Sequence, residues 1–239
     1  MKIAELCIHQ PSYWPWLGLL DKIAKTKDFI LLDNVQVSKG TYQYRNQFYC
    51  NGKAKFLTIP TKIHLGDTFC DLKFSDGANI IEHLFKLDQY YKHAPFYKEV
   101  IELVTPIYYQ HYESPLGLLI ATVQKSMELF GIDTHIYLSS SYKVQGRKGD
   151  LVLALCVAHG AKSYLAGRGS FDYMQEYLYK FQSAGISVFW HNFIHPVYTQ
   201  LPNYKFLSGL SCLDMLFFMG VQKAKEIFWD NVNREYKSL

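Results

Sequence analysis

Short apolar runs alternate with longer segments of helical periodicity along most of this chain. Five of the apolar runs have the length of buried strands, and they lie at residues 3–8, 29–32, 134–138, 163–166 and 186–190. Apolar residues recur at helical spacing in the segments 80–91, 96–109, 115–130, 150–159 and 173–184. Strands that alternate with helices predict an α/β fold, in which a largely parallel, Rossmann-like sheet is flanked by helices.

Two further patterns refine this prediction. The pair Asn51-Gly52 supplies the positive backbone angles of a two-residue turn and predicts a tight hairpin over residues 49–60. The stretch from about 78 to 131 is helical and predicts an insertion that serves as a lid or subdomain. Because no change in composition marks a linker, we expect residues 1–239 to form a single α/β domain.

Composition narrows the classes of function. With 49% hydrophobic and 19% charged residues, the 239-residue chain has the material for a substantial core. The net charge of +4 is diffuse, which argues against specific nucleic-acid binding but allows an anionic ligand such as a nucleotide phosphate. The five cysteines are scattered without a CxxC pair, so neither a zinc ribbon nor a redox pair is indicated. No signal peptide or membrane-length apolar run is visible, so we expect a cytoplasmic protein without membrane insertion.

The most unusual stretch is residues 9–20, where the first strand runs into an aromatic turn. His9 and Gln10 stand where a buried strand would still be apolar, and buried polar groups need partners. The rings of Tyr13 and Trp14 can form an aromatic plug over the sheet or a wall for a ligand. Gly18 would let the following helix or a ligand come close.

Polar clusters follow four of the predicted strands, and they lie at His9/Gln10, Asp33/Gln36, 139–150 and 167–169. In a parallel sheet these ends share one edge and can line a single cleft. The turn at 146–150 contains Lys148 between glycines before a helix, which suits a phosphate or carboxylate but also fits a basic surface turn. It is not a P-loop.

His191 and His195 stand four residues apart, and in a strand they would face the same side. Such a pair can bind a metal or share a proton. No third and fourth ligands are designated by the sequence, so we predict a satisfied or catalytic histidine and assign no metal site.

Several of these motifs, taken together, resemble the WbqC-like family, whose members are encoded among bacterial O-antigen and other surface-polysaccharide genes. The matching pieces are His9-Gln10-Pro11 with Pro15 and Gly18, residues 29–36, Arg45-Asn46, 58–60, 164–167, 195–198 and 210–214. This chain departs from the family pattern at Asn34, where a second acid is common, and at Gln47, where an arginine is common. The resemblance implies modification of nucleotide-linked amino sugars by transfer of an acyl or aminoacyl group. A weaker analogy to nucleotidylyltransferases lacks their HxGH motif, since Trp16-Leu17-Gly18-Leu19 stands there.

The reaction that the resemblance implies needs a general base and a donor to the oxyanion. We predict His9 as the base, His195 as second candidate and Asp33 as an orienting carboxylate. The predicted substrate-binding residues are Gln10, Tyr13, Trp14, Gly18, Gln36, Tyr42, Arg45, Asn46, Lys148 and Tyr198. Among them, Arg45 and Lys148 would hold phosphate, and Tyr13, Trp14 or Tyr42 would stack on a base or sugar.

The expected partners are a nucleotide sugar and an acyl or aminoacyl donor, carried by coenzyme A, an acyl carrier protein or tRNA. ATP with magnesium ranks below these donors. Two alternatives stay open, namely nucleotidyl or glycosyl transfer in the same cleft and a non-catalytic module that binds a sugar or carrier protein. The sequence does not indicate an oligomeric state.

Overall fold

A computed structural model describes residues 2–38, 40–202 and 204–234 of the chain. Its strands are β1 (Ala4–His9), β2 (Thr26–Leu31), β3 (Arg45–Cys50), β4 (Lys53–Thr58), β5 (Thr61–Lys62), β6 (Lys73–Phe74), β7 (His135–Leu138), β8 (Ser163–Ala166) and β9 (Ser187–Trp190). Its helices are α1 (Leu17–Ala24), α2 (Glu82–Tyr91), α3 (Tyr97–Tyr109), α4 (Pro115–Phe130), α5 (Lys148–His159), α6 (Phe171–Met174), α7 (Leu178–Ser183) and α8 (Cys212–Arg234). Helices separate the strands β1, β2, β7, β8 and β9 along the chain, as the apolar pattern predicts.

Five parallel strands form the central sheet in the order β7-β2-β1-β8-β9. The strand β1 is central because its side chains are apolar on both faces, and they alternate between two cores. Cys7 packs into the larger core with α1, α4 and α8, whereas Leu6 and Ile8 pack into the smaller core beneath α5 and α7. The predicted α/β fold with a parallel, Rossmann-like sheet is therefore confirmed.

The predicted hairpin forms between β3 and β4, with Asn51 and Gly52 both at positive φ. Its first strand begins at Arg45, four residues before the segment 49–60 that the turn signal predicts. The helices α2, α3 and α4 bury Leu87, Val104 and Leu118 in the same core as Phe29 of the sheet. The helical segment thus shares one continuous apolar core with the central sheet.

Two predictions of secondary structure need correction. The helix expected over residues 173–184 is broken into α6, a 3-10 turn and α7. The chain also leaves regular structure at His191, so His191 and His195 do not lie on one strand.

Apolar periodicity predicts no element beyond residue 190, yet α8 follows, with a kink at Gly220 (φ 72°, ψ 162°). Within the described ranges, no helix has the length and apolar character that crossing a bilayer would require.

Candidate functional site

A cleft opens at the carboxyl ends of β1 and β8, the neighbouring strands from which the chain continues in opposite directions across the sheet. Loops diverge at such a switch point and leave a crevice, where ligands of open α/β sheets bind. The cleft has a volume of about 400 Å³ and is lined by Ile8, His9, Gln10, Lys22, Leu32, Val152, Tyr164, Gly167, Gly169, Ser170 and Tyr173. We refer to it as the switch-point cleft.

His9 is the last residue of β1, and its ring is accessible to solvent through the cleft. Its Nδ1 lies 2.8 Å from the carbonyl oxygen of Gln10. Because a carbonyl only accepts, Nδ1 carries the proton in this contact and Nε2 keeps its lone pair. Two effects lower the pKa of His9 to about 4. The larger is desolvation of the ring by the surrounding protein, and the next is the positive charge of Lys22. The ring is therefore neutral at pH 7, in the tautomer of a general base.

Gln10 follows His9 at the cleft wall, where its side-chain oxygen accepts a hydrogen bond from Nε2 of Gln43. This contact orients the amide, so that its own N–H groups point away from Gln43.

Lys22 lines the same cleft from helix α1. The residue is only 4% exposed, and its Nζ donates to the carbonyl oxygen of Ile8 at 2.9 Å. A Cβ atom built on Gly167 would lie 3.6 Å from this Nζ, so the ammonium group sits close to the end of β8. Sequence reasoning missed Lys22, although charged residues at 21, 22 and 25 interrupt an otherwise apolar helix and were a usable signal.

Asp21 follows Leu20 in α1, and its carboxylate contacts two buried side chains. Its Oδ1 lies 2.7 Å from Nζ of Lys25 and 2.6 Å from Nε2 of His191, and all three residues are buried. His191 is thereby held at the end of β9 by a carboxylate on α1. Among the described residues, Oδ2 of Asp21 has no hydrogen-bond partner.

His195 lies apart from His191, in the irregular segment after β9. Its Nδ1 is 2.8 Å from the carbonyl oxygen of Pro196, and burial lowers its pKa. The ring packs between Phe193 and Phe206 and does not line the switch-point cleft. No group of three His, Cys, Asp or Glu side chains in the described ranges could hold a metal ion.

Asp33 connects the ends of two neighbouring strands. Its Oδ1 accepts from Oγ of Ser139 and the backbone N–H of Ser140, both at 2.8 Å, and its Oδ2 accepts from Oγ of Ser140 at 2.5 Å. The carboxylate thus holds the 3-10 turn after β7 against the end of β2. Gln36 is exposed and pairs through its backbone with Thr68. Neither Asp33 nor Gln36 lines the cleft that contains His9.

Tyr13 and Trp14 are fully buried, so neither ring offers a face to a ligand in this structure. The hydroxyl of Tyr13 lies 2.6 Å from that of Tyr108, which accepts from Nε1 of Trp14 at 2.8 Å. Asn46 is also buried, and its amide donates to the carbonyl oxygens of Tyr13 and Trp14. Tyr13, Trp14 and Asn46 were predicted to contact a ligand, but they hold the turn after β1 in place. Their polar groups form hydrogen bonds with residues distant in sequence.

The remaining predicted residues lie outside the cleft. Arg45 stacks on Phe56, with the guanidinium carbon 4.2 Å from the ring centroid, and Tyr42 lies beside the same ring. Lys148 is exposed at the start of α5. Tyr198 donates to Asp214 at 2.6 Å inside the larger core.

Gly18 leaves space for the indole of Trp16, since a Cβ there would lie 2.2 Å from that ring. Of the predicted substrate-binding residues, the cleft therefore contains Gln10 alone, next to His9.

Comparison with known proteins gives two matches. The family described as "WbqC-like protein family" matches residues 10–226. A Mycobacterium tuberculosis protein named "Uncharacterized protein Rv1507c" is 26% identical over 230 residues, which cover 91% of this chain and 95% of that protein. No solved structure matches the chain significantly.

Proposed function

The chain belongs to the WbqC-like protein family, and from that premise we propose that it is a sugar-modifying transferase of bacterial surface-polysaccharide biosynthesis. In this proposal it transfers an acyl or aminoacyl group to the amine of a nucleotide-linked amino sugar. The observation that carries the proposal is His9, a neutral histidine with a free Nε2 lone pair at the switch point of a parallel sheet. Acylation of an amine needs such a base, because the attacking nitrogen must lose a proton.

The reaction balances with groups that line the cleft. The amine nitrogen of the sugar attacks the carbonyl carbon of the donor thioester or ester, and Nε2 of His9 accepts the proton of that nitrogen. The N–H groups of Gln10 donate to the oxyanion that develops on the carbonyl oxygen. Collapse of the intermediate forms the amide and breaks the bond to sulfur or oxygen, and His9 returns its proton to the departing group. His9 thus ends in its starting state.

The test combines nucleotide-linked amino sugars with acyl-coenzyme A, acyl carrier protein or aminoacyl-tRNA and detects the amide product by mass spectrometry. We expect one of these donors to support transfer, and His9→Gln to lower kcat roughly 10²- to 10⁴-fold without weakening sugar binding. His93→Gln serves as the matched control, because His93 is exposed and does not line the switch-point cleft. A His9→Gln variant with wild-type kcat would exclude His9 as the base.

Nucleotidyl or glycosyl transfer is the second candidate. The substrates of these reactions carry phosphate, and the buried amino group of Lys22 can bind a phosphate in any of them. Thermal-shift measurements separate the candidates, since a ligand that binds only the native state raises its apparent stability. A shift with ATP and magnesium alone would favour adenylyl transfer. Full function of a His9→Ala variant in a polysaccharide-forming strain would favour a non-catalytic binding module.

A further inference from the structure

We infer that Lys22 is the anchoring residue for a diphosphate group in the switch-point cleft, so that the ligand of this cleft is a diphosphate ester. The inference deepens the proposed function and rests on it for the identity of that ester. Two partners of the proposed reaction carry a diphosphate, the nucleotide sugar and coenzyme A.

The first observation is the charge of the cleft lining. Lys22 is the basic residue of the lining, and no aspartate or glutamate lines the cleft with it. Burial lowers the pKa of its amino group, and an anion in the cleft would favour the charged form. Glycines at positions 167 and 169 form the opposite rim, and a Cβ at Gly167 would be in van der Waals contact with Nζ. The cleft therefore presents a cation beside open backbone, as anion sites require.

The second observation is a contrast between two buried lysines, Lys22 in α1 and Lys25 directly after that helix. Lys25 lies 2.7 Å from the carboxylate of Asp21. In the described part of the chain Lys22 has no carboxylate within 4.0 Å, and its Nζ donates to the backbone carbonyl of Ile8. A buried ammonium without a counter-charge is costly. The two remaining N–H groups of Nζ can be satisfied by an anion that enters the cleft.

The third observation is the size and shape of the space. At about 400 Å³ the cleft lies within the range of small-molecule sites. The rings of Tyr164 and Tyr173 line it, and Nζ of Lys22 lies 6.0 Å from the centroid of Tyr164. Tyr164 is buried and Tyr173 is 37% exposed, so Tyr173 offers the open aromatic surface of the cleft for the attached nucleoside or pantetheine arm.

Calorimetric titration of the full-length protein tests the inference without turnover. The probes are UDP and coenzyme A, which carry a diphosphate, and uridine and pantetheine, which lack it. For Lys22→Met we expect a roughly 10- to 100-fold weaker affinity for the diphosphate probe that binds, consistent with the loss of hydrogen bonds to a charged group. Lys22→Arg should recover part of that affinity, and the exposed Lys223→Met should match the wild type.

The two diphosphate probes distinguish the sources. A loss confined to UDP assigns Lys22 to the nucleotide sugar, and a loss confined to coenzyme A assigns it to the donor. Equal affinity of wild type and Lys22→Met for both would overturn the inference. So would a loss produced by Lys148→Met in place of Lys22→Met, because Lys148 lies outside the cleft.

A second measurement covers the case in which Lys22→Met does not fold. Hydrogen exchange of the wild-type protein should then show that UDP or coenzyme A protects residues 17–24 and 167–170, and that uridine and pantetheine do not. Protection by uridine or pantetheine to the same extent would contradict a diphosphate anchor. If the protein binds a diphosphate through Lys22 but forms no amide, the proposed acyl transfer fails and the anchor stands.

Discussion

The hydroxyl of Tyr13 lies 2.7 Å from Nδ1 of His83, seventy residues further along the chain. Nε2 of His83 lies 3.2 Å from the carbonyl oxygen of Thr58, which can only accept, so Nε2 carries the proton of the neutral ring. Nδ1 is therefore an acceptor, and Tyr13 donates to it. It follows that Tyr108 donates to Tyr13, so the buried hydroxyls and ring nitrogens have one consistent set of directions.

Tyr13→Phe should lower the free energy of unfolding by about 1–3 kcal/mol, because Nδ1 of His83 loses its donor and the hydroxyl of Tyr108 loses its acceptor in a buried place. Denaturant unfolding measures the change. Tyr42→Phe is the matched control, since Tyr42 is 52% exposed. Equal midpoints for the two variants would show that the hydroxyl of Tyr13 contributes no net stability.

His83 should make the fold sensitive to acid. Burial lowers its pKa from 6.5 to about 4, so between these values the unfolded chain binds the proton that the folded protein excludes. Stability from this group is complete above pH 6.5 and is lost as the pH falls, by on the order of 3 kcal/mol at pH 4. Unfolding of His83→Gln across this range should lack that component. An unchanged pH dependence in the variant would contradict the prediction.

Asp214 should act with the opposite sign. Burial raises its pKa to about 6, even though Tyr91, Tyr198 and Gln200 donate to its carboxylate. The folded protein therefore binds a proton that the unfolded chain releases between about pH 4 and 6. The contribution of Asp214 rises as the pH falls through that window, by on the order of 3 kcal/mol. The stability difference between wild type and Asp214→Asn should follow this curve, and a flat difference would refute it.

The pH profile of catalysis should report on His9. A base must be unprotonated, and the lowered pKa of His9 keeps it so in mild acid, so the acidic limb of kcat/KM should lie nearer pH 4 than pH 6.5. The positive charge of Lys22 contributes to the lowered pKa, so Lys22→Met should move the limb upward. If the acidic limb of the wild type lies at pH 6.5 and Lys22→Met does not move it, the pH dependence of kcat/KM does not report the titration of His9.

The sequence predicts the central sheet well, for a physical reason. The short apolar runs have the length of buried strands, and His9 and Gln10 break that pattern where β1 ends. It predicts the individual contacts less well, because those depend on partners far along the chain. Tyr13 forms hydrogen bonds with His83 and Tyr108, and Trp14 forms one with Tyr108. No local pattern in the sequence links these residues. Lys22 was missed because a lysine in a helix is usually solvated.

The position of β1 also sets a constraint on the order of assembly during synthesis. Its two neighbours are β2, which ends at Leu31, and β8, which begins only at Ser163. At roughly 5–20 residues per second, one edge of β1 stays unpaired for on the order of ten seconds after β2 has been made. The edge with Leu6 and Cys7 is then a template for pairing with another chain. Nascent protein is therefore most exposed to aggregation before residue 166 leaves the ribosome, and a chaperone that covers β1 in that interval would raise the yield of folded protein.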